Sequence, residues 1–146
     1  MKKLTAEEAF KTMIFFWEDY YEHKYLDYLG GILSEFLILE DGTTADTAAG
    51  LEWLECLEEA LKEPLTEERK NSITLNEAYD AMYRLISRFS EQMLHPDDLI
   101  ILLNDLKKYK EGGINSEMGK KWLTAVDIAI KDNYPLDVNN FKKYSQ

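Results

Sequence analysis

Residues 45–62 read ADTAAGLEWLECLEEALK, and residues 114–131 read INSEMGKKWLTAVDIAIK. Laid over each other at an offset of 69, they match Gly50 with Gly119, Trp53-Leu54 with Trp122-Leu123, Ala60 with Ala129 and Lys62 with Lys131. Any two amphipathic helices share a period, but the period requires neither tryptophan nor glycine. Working outward at the same offset, Thr5, Glu8, Ala9 and Met13 fall on Thr74, Glu77, Ala78 and Met82. In all, 13 of 58 positions between residues 5 and 62 agree, against roughly three or four expected by chance, which points to an internal repeat.

Each copy reads as three helices. The first opens on a capping box, Thr5-x-x-Glu8 or Thr74-x-x-Glu77, in which threonine and glutamate satisfy orphan backbone donors reciprocally. Its apolar positions recur at helical spacing: Phe10, Met13, Ile14, Trp17, Tyr20 and Tyr21, then Tyr79, Met82, Tyr83, Ile86 and Phe89. The second helix is expected over about 26–39 and 96–109, with Pro96 suited to a first turn. The third is expected to be capped by Asp46 or Asn115 and to run to Lys62 or Lys131, with Pro64 and Pro135 soon after. No run alternates as a strand should. The expected fold is all-α: two tandem three-helix repeats, about 4–63 and 73–132, packed into one helical body across a pseudo-two-fold or stacked interface. Residues 64–72 form the linker, with room for one extra turn. A tail, 133–146, begins one more short helix capped by Asp137.

With 146 residues, 45% hydrophobic and 31% charged, the chain can bury a real core as a single domain. One cysteine, Cys56, leaves no intramolecular disulfide framework and fits a reducing compartment. The opening MKKLTAEEAF places acids where a signal peptide needs its apolar stretch, and no apolar run approaches a membrane span. A cytoplasmic protein is expected.

Charge divides the two copies. Residues 1–69 hold 6 basic and 17 acidic residues, whereas residues 70–146 hold 11 of each, so the whole net charge of −11 lies in the first half. That balance disfavours nucleic acid and anionic membranes as partners. Two explanations remain open: an acidic face that keeps the protein soluble, or one that captures a basic partner. Residues 15–28, FFWEDYYEHKYLDY, interleave acids with more aromatics than one helix face can bury. Rings beside carboxylates suit protein recognition, although any one tyrosine can equally pack on the second copy. The candidate partner-binding residues are Glu18, Tyr21, Glu22, Tyr25, Asp27, Tyr28, Glu40 and Asp41.

Chemistry-bearing motifs are sparse. His23 and His95 have no nucleophile in a recognised setting, and Asp19-Tyr20-Tyr21-Glu22-His23 lacks the Glu-x-x-His spacing of a bundle metal site. Cys56 sits mid-helix among Trp53, Leu57 and Ala60, as a buried thiol does. Gly30-Gly31 has no surrounding phosphate-loop pattern and marks a helix start or a close helix approach. No enzyme, metal or cofactor is expected.

The first copy also carries a string: Leu29-Gly30-Gly31-Ile32-Leu33-Ser34, then Asp41-Gly42, Ala45-Asp46, Ala48-Ala49 and Trp53. Behind the aromatic-acidic helix, it resembles a group of small bacterial immunity proteins associated with contact-dependent growth inhibition. The resemblance spans about residues 4–62; the second copy lacks the double glycine and the Asp-Gly string. It implies a cytoplasmic protein that binds the toxic C-terminal domain of a cognate effector and blocks it. Such toxins are often nucleases with basic surfaces, which fits the acidic half. The expectation is therefore an immunity protein acting by stoichiometric occlusion; the alternative is a helical scaffold or regulatory adaptor for another protein.

Overall fold

A computed structural model describes residues 2–24, 26–94 and 96–144. The architecture is all-α. Among the described residues two minimal strands, Lys3–Leu4 (β1) and Ile73–Thr74 (β2), accompany six helices: Ala6–His23 (α1), Asp27–Glu35 (α2), Thr47–Leu61 (α3), Leu75–Gln92 (α4), Asp97–Gly112 (α5) and Glu117–Lys131 (α6). A 3-10 turn at Arg69–Asn71 lies in the linker, and another, Val138–Lys142, follows the Asp137 cap in the tail.

Local chemistry sets most boundaries. Thr5 Oγ1 accepts from the Glu8 amide at 3.0 Å while the Glu8 carboxylate accepts from the Thr5 amide at 2.9 Å, and Thr74 with Glu77 repeats both distances. Helices α1 and α4 consequently begin and end 69 residues apart. Asp46 caps α3 through the Ala48 amide. In the second half the cap is Ser116, which accepts from the Gly119 amide at 2.9 Å, rather than Asn115. The reason lies upstream: α5 runs to Gly112, Gly113 turns with φ +58°, and a 3-10 turn consumes Gly113–Asn115.

The second helices depart furthest from expectation. α5 extends past 109 to Gly112, but α2 stops at Glu35, four residues short of 39. Phe36 turns inward instead, against Phe10, Trp17 and Phe89. Residues 37–39 then run extended, with the Leu39 amide donating to the Thr43 carbonyl and the Ala45 amide to the Leu37 carbonyl. Gly42 closes this loop at φ +84°, which a side chain would strain. Both Gly30 and Gly31 lie inside α2, and only Gly30 is closely approached, by the Tyr21 ring.

The halves interleave. α3 packs chiefly on α4, and α6 on α1, so each third helix lies against the first helix of the other half. β1 and β2 pair antiparallel with Leu4 opposite Ile73, two positions separated by the same 69-residue offset. The tryptophans are buried in matching surroundings. Phe10 and Trp53 meet edge-on at 5.2 Å and 81°, Tyr79 and Trp122 at 5.0 Å and 82°.

One equivalent pair differs in kind. Phe36 and Phe89 pack at 6.2 Å, while their counterparts at the same offset are Asp105 and Tyr20, joined by a 2.6 Å hydrogen bond from the phenol. Lys24 donates to the same carboxylate at 2.6 Å and Lys108 at 3.2 Å. Burial pushes the Asp105 carboxyl up, but these hydrogen bonds and the Lys24 charge outweigh it and leave its pKa at about 2.

Trp53→Ala or Trp122→Ala should each cost about 3–5 kcal/mol in denaturant unfolding, since each removes a fully packed indole; superposing the halves of an experimental structure at the 69-residue offset should align both rings. The Asp105 pKa lies below its unfolded value, so its stabilisation is complete above about pH 4 and is lost as pH falls through about 2. Asp105→Asn should lower stability at pH 7 and flatten the loss between pH 4 and 2, read from urea midpoints.

Candidate functional site

The candidate residues fall on α1, α2 and the 36–45 loop. Glu18 and Glu22 stand one turn apart on the exposed side of α1. Burial against the helix surface, and then the Glu22 charge, push the Glu18 carboxyl up. Asp27 and Tyr28 begin α2, both exposed. Tyr21 is half-buried over Gly30, so it belongs to the α1–α2 packing as much as to the surface. Tyr25 lies outside the described residues.

Glu40 and Asp41 differ in role. Glu40 is exposed, but the Asp41 carboxylate accepts from the Thr43 hydroxyl at 2.6 Å, the Thr43 amide at 3.0 Å and the Tyr144 hydroxyl at 2.8 Å. Those hydrogen bonds, Thr43's first, hold its pKa at about 2. Asp41 therefore shapes the loop and ties down the tail. A sequence pattern cannot separate these two neighbours, because the distinction depends on Tyr144, 103 residues away.

A groove of about 400 Å³ runs between α1, residues 36–38 and the tail. Its walls are mostly apolar: Phe10, Ile14, Phe15, Phe36, Ile38 and Leu136, with Glu18 at the rim. Leu37, 62% exposed, and Tyr134, 55% exposed, stand at its edges. The groove continues past Ile38, Tyr134 and Leu136 towards Glu40 and Asp41. Lys11 holds the tail in place, donating to the Tyr134 carbonyl at 2.6 Å and pairing with the Asp132 carboxylate at 3.0 Å. Of these residues the sequence singled out Glu18 as a candidate partner-binding acid, and Phe15 belongs to the stretch with more aromatics than one helix face can bury. The wall from 132–136 carried no signal, since nothing local announces that a tail returns to α1.

Phe15 also borders a second hollow, of about 230 Å³, facing Thr124 and Ile128 on α6. At the 69-residue offset, Phe15, Asp19, Thr124 and Ile128 correspond to Arg84, Arg88, Glu55 and Glu59. There the surface is closed by ion pairs, Arg88–Glu59 at 2.6 Å, Arg88–Glu55 at 3.4 Å and Arg84–Glu59 at 3.7 Å. On the α1–α6 side Ile128 instead stays 47% exposed.

Other reactive groups are few. Cys56 is buried, which pushes its thiol up to about 12. His23 is exposed, its Nδ1 near the Asp19 carbonyl and carboxylate. His95 lies outside the described residues. Among the described residues no group of three histidine, cysteine, aspartate or glutamate side chains is placed to hold a metal ion, and no helix is long and apolar enough to cross a membrane. Compared with known proteins, the chain matches no family model, no curated protein and no solved structure.

Lys11→Met should cost about 1 kcal/mol, because it removes a charge-assisted contact that is partly open to water. Amide exchange should speed up at residues 134–141 while α4 and α5 keep their protection.

Proposed function

We propose that this chain is a bacterial cytoplasmic immunity protein: a stoichiometric inhibitor that binds and neutralises a cognate, basic toxin domain, such as a nuclease. One observation carries the reading. The entire net charge lies in the first half, and Glu18, Glu22, Asp27 and Glu40 stand on its surface in no ion pair among the described residues. Unpaired acids such as Asp97 and Glu117 also occur in the second half among the described residues, but there 11 basic residues balance 11 acidic ones. Fold maintenance gives no reason for such a split, and self-repulsion opposes it. A basic partner supplies one, since complementary fields speed encounter and fix orientation. The apolar groove beside Glu18 supplies contact area that charge alone lacks. The adaptor alternative uses the same surface and differs in the partner's identity.

Co-purification with the product of an adjacent toxin-sized reading frame, and rescue of cells expressing it, tests the reading. The triple variant Glu18→Lys, Glu22→Lys, Asp27→Lys should slow association about tenfold or more and weaken rescue, with its melting temperature nearly unchanged. Wild-type association should slow with salt, since charges screen over about 8–10 Å. Asp127→Lys, in the electrically neutral half, is the control; Asp41 and Asp132 are unsuitable because both hold structure. Equal effects in both halves, or association indifferent to salt, would leave the acidic half to solubility.

A further inference from the structure

Each half adds a third ring to its buried aromatic pair, and the two third rings come from different places. The Tyr79–Trp122 pair is joined by Tyr109, which stacks on Tyr79 at 4.0 Å. Tyr109 belongs to α5, a helix anchored along its length by buried Leu99, Leu102 and Leu106. The Phe10–Trp53 pair is joined by Phe141, at 5.0 Å from Phe10 and 6.3 Å from Trp53. Phe141 comes from the tail, well beyond the end of α6 at Lys131.

The tail is built to hold itself together more than to hold the body. Residues 133–135 are exposed and without regular structure. Asp137 then caps the 3-10 turn by accepting from the Asn139 amide at 2.9 Å. The Asn140 amide donates to the Asp137 carbonyl and the Lys143 amide to the Asn140 carbonyl, so these backbone bonds close within the segment. Towards the body it buries two side chains, Val138 and Phe141. The Val138 amide donates to the Glu7 carboxylate at 2.9 Å, and the Tyr144 hydroxyl to Asp41 at 2.8 Å. The receiving surface is shaped for the ring. A Cβ on Gly50 of α3 would stand 2.8 Å from Phe141, whereas its counterpart Gly119 meets the carbonyl oxygens of Gly113 and Ile114 instead. A segment that keeps its own hydrogen bonds and has few buried anchors can open without the rest of the core.

We propose that residues 137–144 form a releasable strap, which opens as a unit and uncovers an aromatic-binding slot between Phe10 and Trp53 while the helices stay folded. Phe10 also lines the groove beside α1, so release extends that groove to Trp53. The occupant in place defines the chemistry that the slot takes: a turn with valine and phenylalanine three residues apart, its ring entering over Gly50. Tethering holds that occupant at an effective concentration of millimolar order, so the closed strap excludes weak competitors. The inference concerns this chain's own segment and stands whether or not the partner is a toxin.

Two measurements on the full-length chain test it. In native-state hydrogen exchange, the opening that frees the Val138 and Asn140 amides should be about a hundredfold more frequent than the one that frees Met82 in α4 and Leu102 in α5. Asp137→Ala, which removes only the cap of the turn, should make the strap opening about fivefold more frequent and leave Met82 and Leu102 unchanged. In the second measurement, isotope-labelled Phe141→Ala chain is titrated with a synthetic peptide copying residues 137–146, DVNNFKKYSQ. Saturable shifts are expected at Gly42, Gly50 and the Trp53 indole. The wild-type chain, whose slot is filled, should bind the peptide about tenfold more weakly or less. A peptide carrying Phe141→Ala should not bind either chain. Exchange of Val138 and Asn140 only together with Met82 and Leu102 would overturn the proposal. Loss of the folded spectrum in the Phe141→Ala chain would do the same, because a releasable strap leaves the body intact. So would equal peptide binding by both chains, or an absence of shifts in the variant at millimolar peptide.

Discussion

Neither half of this chain covers its own third helix. The apolar face of α3, with Trp53, Leu54 and Leu57, is closed mainly by α4, and that of α6, with Trp122, Ala125 and Val126, by α1. A half of three helices, nine to eighteen residues long, would leave the apolar face of its third helix bare, so the core as built depends on the exchange. The β1–β2 pair, with Leu4 facing Ile73, ties together the starts of the two helices that receive the exchanged partners.

That constraint explains where the halves are free to differ. At the exchanged contacts the tryptophans keep nearly identical edge-on partners, because an indole tolerates little rearrangement in a packed core. Where the second helices cross the first, the same positions hold Phe36 with Phe89 on one side and Asp105 with Tyr20 on the other. Both solutions fill the space. The polar one is tenable because Lys24 and Lys108 complete the carboxylate's partners, whereas a half-satisfied buried carboxylate would cost more than an apolar pair. That choice makes the carboxylate depend on two lysines whose side chains are more than half exposed.

The fold was largely legible in the sequence because its signals are local. Capping boxes at Thr5 and Thr74 act within four residues, and the period of Phe10, Met13 and Trp17 reports one helix face. The end of α2 was not legible. Residues 36–39, Phe-Leu-Ile-Leu, extend a helical pattern as well as any other, and only the aromatic socket of Phe10, Trp17 and Phe89 draws Phe36 out of it. Ser116 displaced Asn115 for a comparable reason, since the end of α5 decides where α6 can start. Of the candidate site, Glu18, Glu22, Asp27 and Glu40 stand on the surface as their charge suggested. The groove beside them was hidden because its opposite wall lies about 120 residues away and is fixed by Lys11.

Early termination of α2 and the one-sided charge act on the same surface. Had α2 run on like α5, Leu37 would be buried like Leu106, and the acids of α1 would border a closed helix face. Instead the chain unwinds at Phe36 and opens apolar walls next to uncompensated carboxylates. Exposed apolar surface carries an aggregation hazard, and surplus charge of one sign opposes compaction. Solubility alone would favour covering the groove, as the second half does, or spreading the acids over both halves. Under the proposed function a basic partner would meet both features in one place, on α1 and residues 36–40.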